Sequence, residues 1–294
     1  MDRRIKFRHL EVFSAVARSR SIKKAAEQLN PPHPAVTKTL KELEKIAGHL
    51  LAERSRAGIR LTSEGETFLQ FAEQSTAAIK HGLHSLQRSG ATGGRLLVGA
   101  LPSVVSSVLP GAALTFSKKH PDTLLEIFEG PHLDLTARLR RGGLDLVVGR
   151  LGGPESMVGL AFRQLYSEEV VVVSRPDSLA ARVRTLEELE AFRVVYPPKD
   201  SAIRSLVARL LITHGVPLFS KRIESASSAL GRTLTMTDPN IVWIISKGVV
   251  ANDVVSGQLV LLDIDTSPTS GAVGVMTRAD EIMPIAVRSF LRYL

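Results

Sequence analysis

The sequence predicts an α/β protein with a small, mostly helical head, and three observations carry that prediction. Apolar residues recur at helical spacing through the first sixty or so positions. From Arg95 onward, short apolar runs alternate with helical stretches, the pattern of an α/β body with mostly parallel sheets. The charge is also uneven. Of a net +9, residues Met1 to Thr62 hold +8, with fourteen Lys and Arg against six acids, so the rest of the chain is close to neutral. A basic head on a neutral body points to a polyanion-binding module joined to something else; the plainer alternative is a solvated basic surface.

In the head, Phe7, Leu10, Phe13 and Val16 define a first amphipathic helix that closes at Arg18-Ser19-Arg20. Ser21 is a good N-cap for a second helix, "IKKAAEQL", with Ala25, Ala26 and Leu29 inward. "LNPPHPAVTKTL" then places three prolines at a corner, and Val36, Leu40, Leu43 and Ile46 define a third helix. Proline is tolerated in a first helical turn, where its missing N–H costs nothing, so Pro34 fits the start of that helix. "LLAERSRAGIRLT" reads as two short strands around an Arg-rich tip with Gly58 in the turn. Ser63 with Glu66 fits a capping box opening a long helix. Leu61, Gly65, Phe68, Ala72, Ser75, Ile79, Gly82 and Leu86 make a heptad-like seam along it, usable for pairing two helices or for packing on its own domain. "RSGATGG" reads as a hinge or linker.

In the body, candidate strands are "RLLVGA", "TLLEIFEG", "LDLVVGR", "EEVVVVS", "FRVVYP", "SKRIES", "QLVLLDI" and "AVGVMT", with helices expected over Asp134–Arg141, Ser201–His214 and Glu281–Tyr293. "IVWIISKGVV" reads as core or interface. The chain of 294 residues, 44 % hydrophobic, is long enough for one large or two to three small domains. Without cysteine there is no disulfide, thiol nucleophile or Cys-type zinc site. No apolar run approaches the ~18 residues of a membrane span, and "MDRRIKFRHLEVF" lacks a signal-type segment. The expectation is a soluble, cytoplasmic, nucleoid-associated protein. Eight scattered histidines make no metal-ligand spacing, "GATGG" precedes its strand where a nucleotide loop would follow one, and no G-x-S-x-G elbow is present. Neither catalysis nor a cofactor is expected.

Two short helices joined by a tight turn form a helix-turn-helix, whose second helix enters the DNA major groove. Its leading residues are Pro32, His33, Pro34, Thr37 and Lys38. His33 can offer a donor and an acceptor, Thr37 can reach a base edge or a thymine methyl, and Lys38 and Lys41 can pair with phosphates. Ser21 and Lys24, at the start of the preceding helix, join the DNA-facing set, as do Arg54 and Arg56 at the strand tip.

The stretch from Phe7 to Leu69 resembles the N-terminal domain of LysR-type transcriptional regulators. The AA-x-x-L spacing, P-A-V-T-K followed by L-x-x-L-E, the L-x-x-R wing and the L-T-x-x-G entry to the long helix occur in order. One departure is plain: the family commonly has Ser-Gln where this chain has Pro32-His33, and His cannot copy the bidentate contact of Gln to adenine. The resemblance extends over the whole chain. It implies a winged helix-turn-helix over 1–62, a dimerising linker helix over 63–90 that pairs through Phe68, Ala72, Ser75, Ile79 and Leu86, and an effector domain over 91–294. That domain would have two lobes like a type 2 periplasmic binding protein, lobe I about 91–165 and 267–294, lobe II about 166–266.

It further implies a homodimer or homotetramer on double-stranded promoter DNA, a small-molecule inducer between the lobes, and contact with RNA polymerase in an activator. Mapped onto this sequence, the inducer contacts would be Ser103, Val104, Glu129, Arg150, Ser201, Arg204 and Ser227. More narrowly, "RIKFRHLEVF", "SRAGIRLT" and "GVVANDVVSGQLVLLDIDTSPTSGAVGVMTRAD" resemble the protocatechuate-pathway branch, which switches on β-ketoadipate genes in response to a carboxylated muconate-type intermediate. Arg150 and Arg204 would suit a polycarboxylate. The alternatives are a regulator or repressor answering another small acid or sugar and, more remotely, a solute-binding α/β protein.

Overall fold

Helix α1 (Phe7–Ser19) starts where the His9 ring nitrogen Nδ1 accepts the Lys6 N–H at 3.1 Å, and it ends at Arg20 in the left-handed region, φ 49°. Helix α2 (Ile22–Leu29) is capped by the Ser21 hydroxyl, which accepts the Lys24 N–H at 3.3 Å. Helix α3 (His33–Ala47) takes Pro32 as N-cap and Pro34 in its first turn, and stops at Gly48, φ 72°. In the computed structural model, which describes residues 4–55, 58–88, 94–279, 281 and 283–294, the chain divides into two compact units: Met1–Thr92 with Arg140–Gly143, and Gly93–Leu139 with Leu144–Leu294.

Strands β1 (Ala52–Ser55) and β2 (Gly58–Leu61) form the expected antiparallel hairpin, Ala52 facing Leu61. Three attachments fix it. The Glu44 carboxylate accepts the N–H groups of Leu51 and Ala52 at 3.0 and 3.1 Å. The Ile59 N–H donates to the Arg20 carbonyl at 3.0 Å. The Thr62 hydroxyl donates to the Leu50 carbonyl at 2.7 Å.

Helix α4 (Ser63–Arg88) follows. Its N-cap is Thr62, whose oxygen accepts the Gly65 N–H at 3.0 Å. The expected cap, Ser63, is already the first helical residue and bonds to Glu64 instead. The Leu51 carbonyl lies so close to Gly65 that a Cβ there would sit 1.9 Å from its oxygen. The core of this unit gathers Phe13, Val16, Ala25, Val36, Leu40, Leu43 and Leu51, and α4 contributes Ala72 and the Phe68 ring, which meets Phe13 edge-on at 5.5 Å. The "RSGATGG" linker falls, but for Arg88 and Gly94, outside the described residues.

The second unit runs β3 (Arg95–Ala100), α5 (Pro102–Val105), α6 (Leu109–Lys119), β4 (Leu124–Glu129), α7 (His132–Arg140), β5 (Leu146–Arg150), α8 (Pro154–Met157) and β6 (Leu160–Glu168). It continues with β7 (Val170–Ser174), β8 (Arg193–Tyr196), α9 (Arg204–Thr213), β9 (Arg222–Glu224), α10 (Ser228–Thr237), β10 (Ile241–Ser246), α11 (Lys247–Val255), β11 (Val260–Leu261), β12 (Gly271–Arg278) and α12 (Ile285–Phe290). One five-stranded sheet has the order β4-β3-β5-β12-β6 and the other β11-β7-β10-β8-β9. The chain crosses from the first to the second between Glu168 and Val170, and returns on the way into Gly271. Each sheet therefore makes a lobe.

The sheets are mixed where mostly parallel ones were expected: β3, β4 and β5 run parallel, as do β8, β9 and β10, while the other pairings are antiparallel. Two strands escape the sequence reading. β10 is the apolar run around Trp243, buried on both faces, where periodicity cannot separate strand from helix. β6 is an edge strand of mixed polarity with a register shift opposite Val273 and Gly274. "QLVLLDI" pairs only through Val260 and Leu261, and the last helix begins after Pro284, which cannot sit inside it.

Gly65→Ala drives a methyl into backbone, so the amino-terminal unit should lose about 1–3 kcal/mol of stability, read as an earlier denaturation of that unit by circular dichroism. Unchanged stability would show that α4 does not need this approach to the Leu51 carbonyl.

Candidate nucleic-acid interface and ligand cavity

His33, Pro34, Thr37, Lys38, Lys41 and Lys45 lie along one shallow groove on α3, with Glu42 the single acid among its lining residues. His33 also borders a second depression with Arg20, Ser21, Lys23 and Lys24, so the starts of α2 and α3 meet there. The Thr37 hydroxyl is buried without a hydrogen-bond partner among the described residues. Pro32, as N-cap, sets the direction of the helix. The structure thus brings Ser21, Lys24, His33, Pro34, Thr37, Lys38 and Lys41 to one side of the unit. Arg56 lies outside the described residues; Arg54 pairs by backbone with Ile59 in the hairpin.

The five residues expected to pair two long helices divide. Phe68 and Ala72 are spent on the core of their own unit. Ser75 and Ile79 are exposed, Ile79 at 45 %, together with Phe71 at 61 % and Leu83 at 56 %. Leu86 lies in α4 near its end. The open apolar stripe is therefore Phe71, Ser75, Ile79 and Leu83, one residue round the helix from the seam at its amino-terminal half. A heptad count alone cannot tell these faces apart.

In the second unit a cavity of about 400 Å³ lies between the sheets. Its walls are the segments that follow β3, β4 and β5 on one side and β8 and β9 on the other, with Trp243 to Ser246 of β10. Ligands in α/β folds characteristically bind outside the carboxyl ends of parallel strands. Ser103, Glu129, Arg150, Ser201 and Ser227 line it. Two expected residues do not. Val104 is fully buried in the first lobe's core, because α5 turns it inward. Arg204 points elsewhere: it donates to the Pro197 carbonyl at 2.6 Å, pairs with Glu224 at 3.3 Å and lies 4.6 Å over the Tyr196 ring. Arg222, together with Arg204, holds the Glu224 carboxyl below its usual range. The sequence reading missed Asp200, Ser225, Ser228, Ser246, His132 and Trp243. The Ser228 hydroxyl is buried without a hydrogen-bond partner; its place beside the helix cap Ser227 was the available signal.

Arg150 is buried and already engaged. It donates to the Glu168 carbonyl at 2.9 Å and the Thr269 carbonyl at 3.4 Å, and meets the Glu168 carboxylate at 3.5 Å. Its Nε is buried without a partner among the described residues. Glu168 in turn accepts the Gly248 N–H at 2.9 Å. Gly248 has no room for a side chain, since a Cβ would lie 2.5 Å from the Glu168 carboxylate and 2.6 Å from the Ser103 carbonyl. Burial raises the Glu168 pKa and lowers that of Arg150, and in each case the partner's charge opposes the shift. Of the two arginines nominated for a polycarboxylate, only one reaches the cavity, and its charge is balanced. Glu129 and Asp200 add two carboxylates to the walls.

Arg150→Met should strand the buried Glu168 and cost about 3–5 kcal/mol, whereas Arg150→Met with Glu168→Leu should recover most of that loss. Trp243, the sole tryptophan, reports unfolding of this unit alone through its fluorescence. Additive losses in the double variant would contradict the pairing.

Residues 7–66 match the bacterial regulatory helix-turn-helix protein family, lysR type, and residues 89–294 match the LysR substrate binding domain. The chain is 42 % identical over 283 residues to the HTH-type transcriptional regulator PcaQ of Agrobacterium fabrum, covering 95 % of this chain and 91 % of that protein. It is 35 % identical over 281 residues to the HTH-type transcriptional regulator YdcI of Escherichia coli, with the same coverage. The structure of a Corynebacterium glutamicum OxyR C206 mutant has the same fold, with a TM-score of 0.56 at 21 % identity over 99 % of this chain and 91 % of that one. The likeness to PcaQ bears out the resemblance to the pca branch. With a LysR helix-turn-helix domain ahead of a LysR substrate-binding domain, the chain belongs to the LysR family of transcriptional regulators.

Proposed function

We propose that the protein is a ligand-responsive activator of an operon for aromatic-acid catabolism through protocatechuate and β-ketoadipate, acting without catalysis of its own. The observation that carries the DNA-binding part is the leading edge of α3, where His33, Thr37, Lys38 and Lys41 share one face with little opposing acid. On this reading His33 and Thr37 meet base edges and Lys38, Lys41 and Lys24 meet phosphates. Pro32 and Pro34 hold the first turn rigid, and the two arginines of the wing sequence, Arg54 and Arg56, complete the phosphate contacts. The Phe71, Ser75, Ile79 and Leu83 stripe pairs two copies through α4, so that two recognition helices address a palindromic promoter site, with dimers assembling to tetramers. The likeness to PcaQ supports the pathway, and with it the expectations of a cytoplasmic, nucleoid-bound protein that contacts RNA polymerase.

The inducer occupies the cavity between the sheets, against Ser103, Glu129, Arg150, Ser201 and Ser227. A carboxylated muconate-type acid is the reading the pathway favours. A second reading, a hydroxylated acid or sugar acid, is favoured by the six serines in the walls beside Glu129 and Asp200. A thermal-shift screen of both classes separates them, because a ligand of the native state raises its melting temperature.

Lys38→Ala with Lys41→Ala should weaken binding to the gene's own promoter fragment and reduce the slope of log affinity against log salt by about 1 per lysine. A slope equal to that of the unsubstituted protein would remove both lysines from the phosphate contacts. His33→Gln should change base preference at one position of each half-site; if selectivity stays the same, His33 touches backbone only. Ile79→Asp should convert the dimer to monomer, measured by light scattering, and an intact dimer would refute the α4 stripe.

A further inference from the structure

On the first lobe, a cleft of about 320 Å³ is bordered by Arg163, Arg288 and Arg292 and floored by Val275, Met283 and Leu291. It shares no residue with the cavity between the sheets. Arg163 stands on the edge strand β6, opposite Val275 of β12. Arg288 lies on α12 and Arg292 in the turn that follows it. The Arg163 Nη2 donates to the Leu291 carbonyl at 3.2 Å, which steers its guanidinium over the cleft's edge. Among the described residues no carboxylate pairs with any of the three. Glu281, the described acid nearest in sequence to α12, is engaged by Arg278.

Three guanidinium groups around one cleft repel each other. Elsewhere in the same unit several arginines have a matched acid: Arg95 with Glu126, Arg175 with Asp177, Arg232 with Asp253. The cleft gathers three arginines that have none among the described residues. Its size falls in the range of small-molecule sites, about 300–1,000 Å³. Guanidinium forks match the oxygens of carboxylates and phosphates, and several converging forks suit a ligand with more than one negative charge. The buried Val275 and the flexible, half-exposed Met283 give a short hydrocarbon body something to lie on.

We propose that this cleft is a second anion site on the first lobe, and that it takes a compact, multiply charged oxyanion, a di- or tricarboxylate or an organic phosphate. The guanidinium groups of Arg163, Arg288 and Arg292 hold the charges, and Val275, Met283 and Leu291 hold the carbon frame. The site is independent of the inducer reading, because it stands on different residues.

The test is isothermal titration of the full chain with tricarballylate and, separately, with inorganic phosphate, at constant ionic strength set by chloride. The expected result is saturable binding of at least one of them, weakened about tenfold or more by Arg288→Gln with Arg292→Gln and by Arg163→Gln. Arg288→Lys with Arg292→Lys, which keeps the charge and loses the forks, should fall between. Ser201→Ala with Ser227→Ala, in the other cavity, should leave the binding unchanged. Preference for one probe tells carboxylate from phosphate. The proposal is overturned if neither probe binds saturably, if the Gln variants bind as the unsubstituted protein does, or if the Ser201 and Ser227 changes abolish the signal. The three arginines are exposed, so the variants should fold; a melting temperature matching the parent's confirms that a loss of binding is local.

Discussion

The two-lobed unit depends on one buried guanidinium. Arg150 ends β5 at the floor of the cavity and holds both places where the chain passes between sheets: the Glu168 carbonyl on the outward crossing and the Thr269 carbonyl on the return. Its counter-charge does the complementary task. The Glu168 carboxylate, at the end of the first lobe's last strand before the crossing, accepts the Gly248 N–H at the start of α11 in the second lobe. Burying two charges costs several kcal/mol per ion, and Coulomb attraction alone repays it poorly. The surrounding hydrogen bonds make the arrangement tolerable, and they tie it to positions that a hydrophobic substitute would leave unspecified. A hydrophobic pair could match the stability of Arg150 and Glu168 without fixing both crossings.

The amino-terminal unit has its own fastening, built from uncharged groups and one carboxylate. Glu44 at the end of α3 accepts two N–H groups where the hairpin begins, and Thr62 caps α4 while its hydroxyl reaches back to Leu50. Gly65 lets the first turn of α4 lie against the Leu51 carbonyl. Recognition helix, wing and long helix are thus joined between Glu44 and Gly65, at the points where L-x-x-L-E, L-x-x-R and L-T-x-x-G fall in the sequence. Glu44 works at the carboxyl-terminal end of α3, whereas the candidate DNA contacts His33, Thr37 and Lys38 lie in its amino-terminal half. The two roles occupy different ends of one short helix.

That division explains what was legible in the sequence. The helical head could be read almost to the residue because its apolar spacing is regular and two of its stops are Asn30 and Gly48, residues that tolerate or favour positive φ. The body's strands were legible where turns bracket them. They were lost where both faces are buried, as around Trp243, or where the edge strand β6 mixes exposed arginine with apolar residues. The cap of α4 went to Thr62 and not Ser63 because the threonine hydroxyl has a second partner in Leu50, a tertiary contact that no local pattern encodes. Five of seven expected cavity residues line it, since strand ends are readable. Arg204 was misplaced because its side chain chose Glu224 and the Tyr196 ring, both brought near by sheet order.

The cavity and the crossings meet at Arg150, and this bears on how an inducer could act. A ligand shifts an equilibrium between lobe arrangements only to the extent that it binds them differently. Most of the cavity's lining belongs to one lobe or the other and would register a ligand simply by closing on it. Arg150 is different: its Nη atoms are committed to the crossings, while its Nε is unpartnered and the residue lines the cavity. A ligand oxygen set against Arg150 competes with, or reinforces, the hydrogen bonds that position both crossings. It also adds negative charge beside Glu168, whose pKa is already raised by burial. An anion placed there makes the ionised Glu168 costlier unless the lobes rearrange to solvate or re-pair it. On the proposed reading, that electrostatic cost is the differential interaction that couples inducer binding to the arrangement of the lobes.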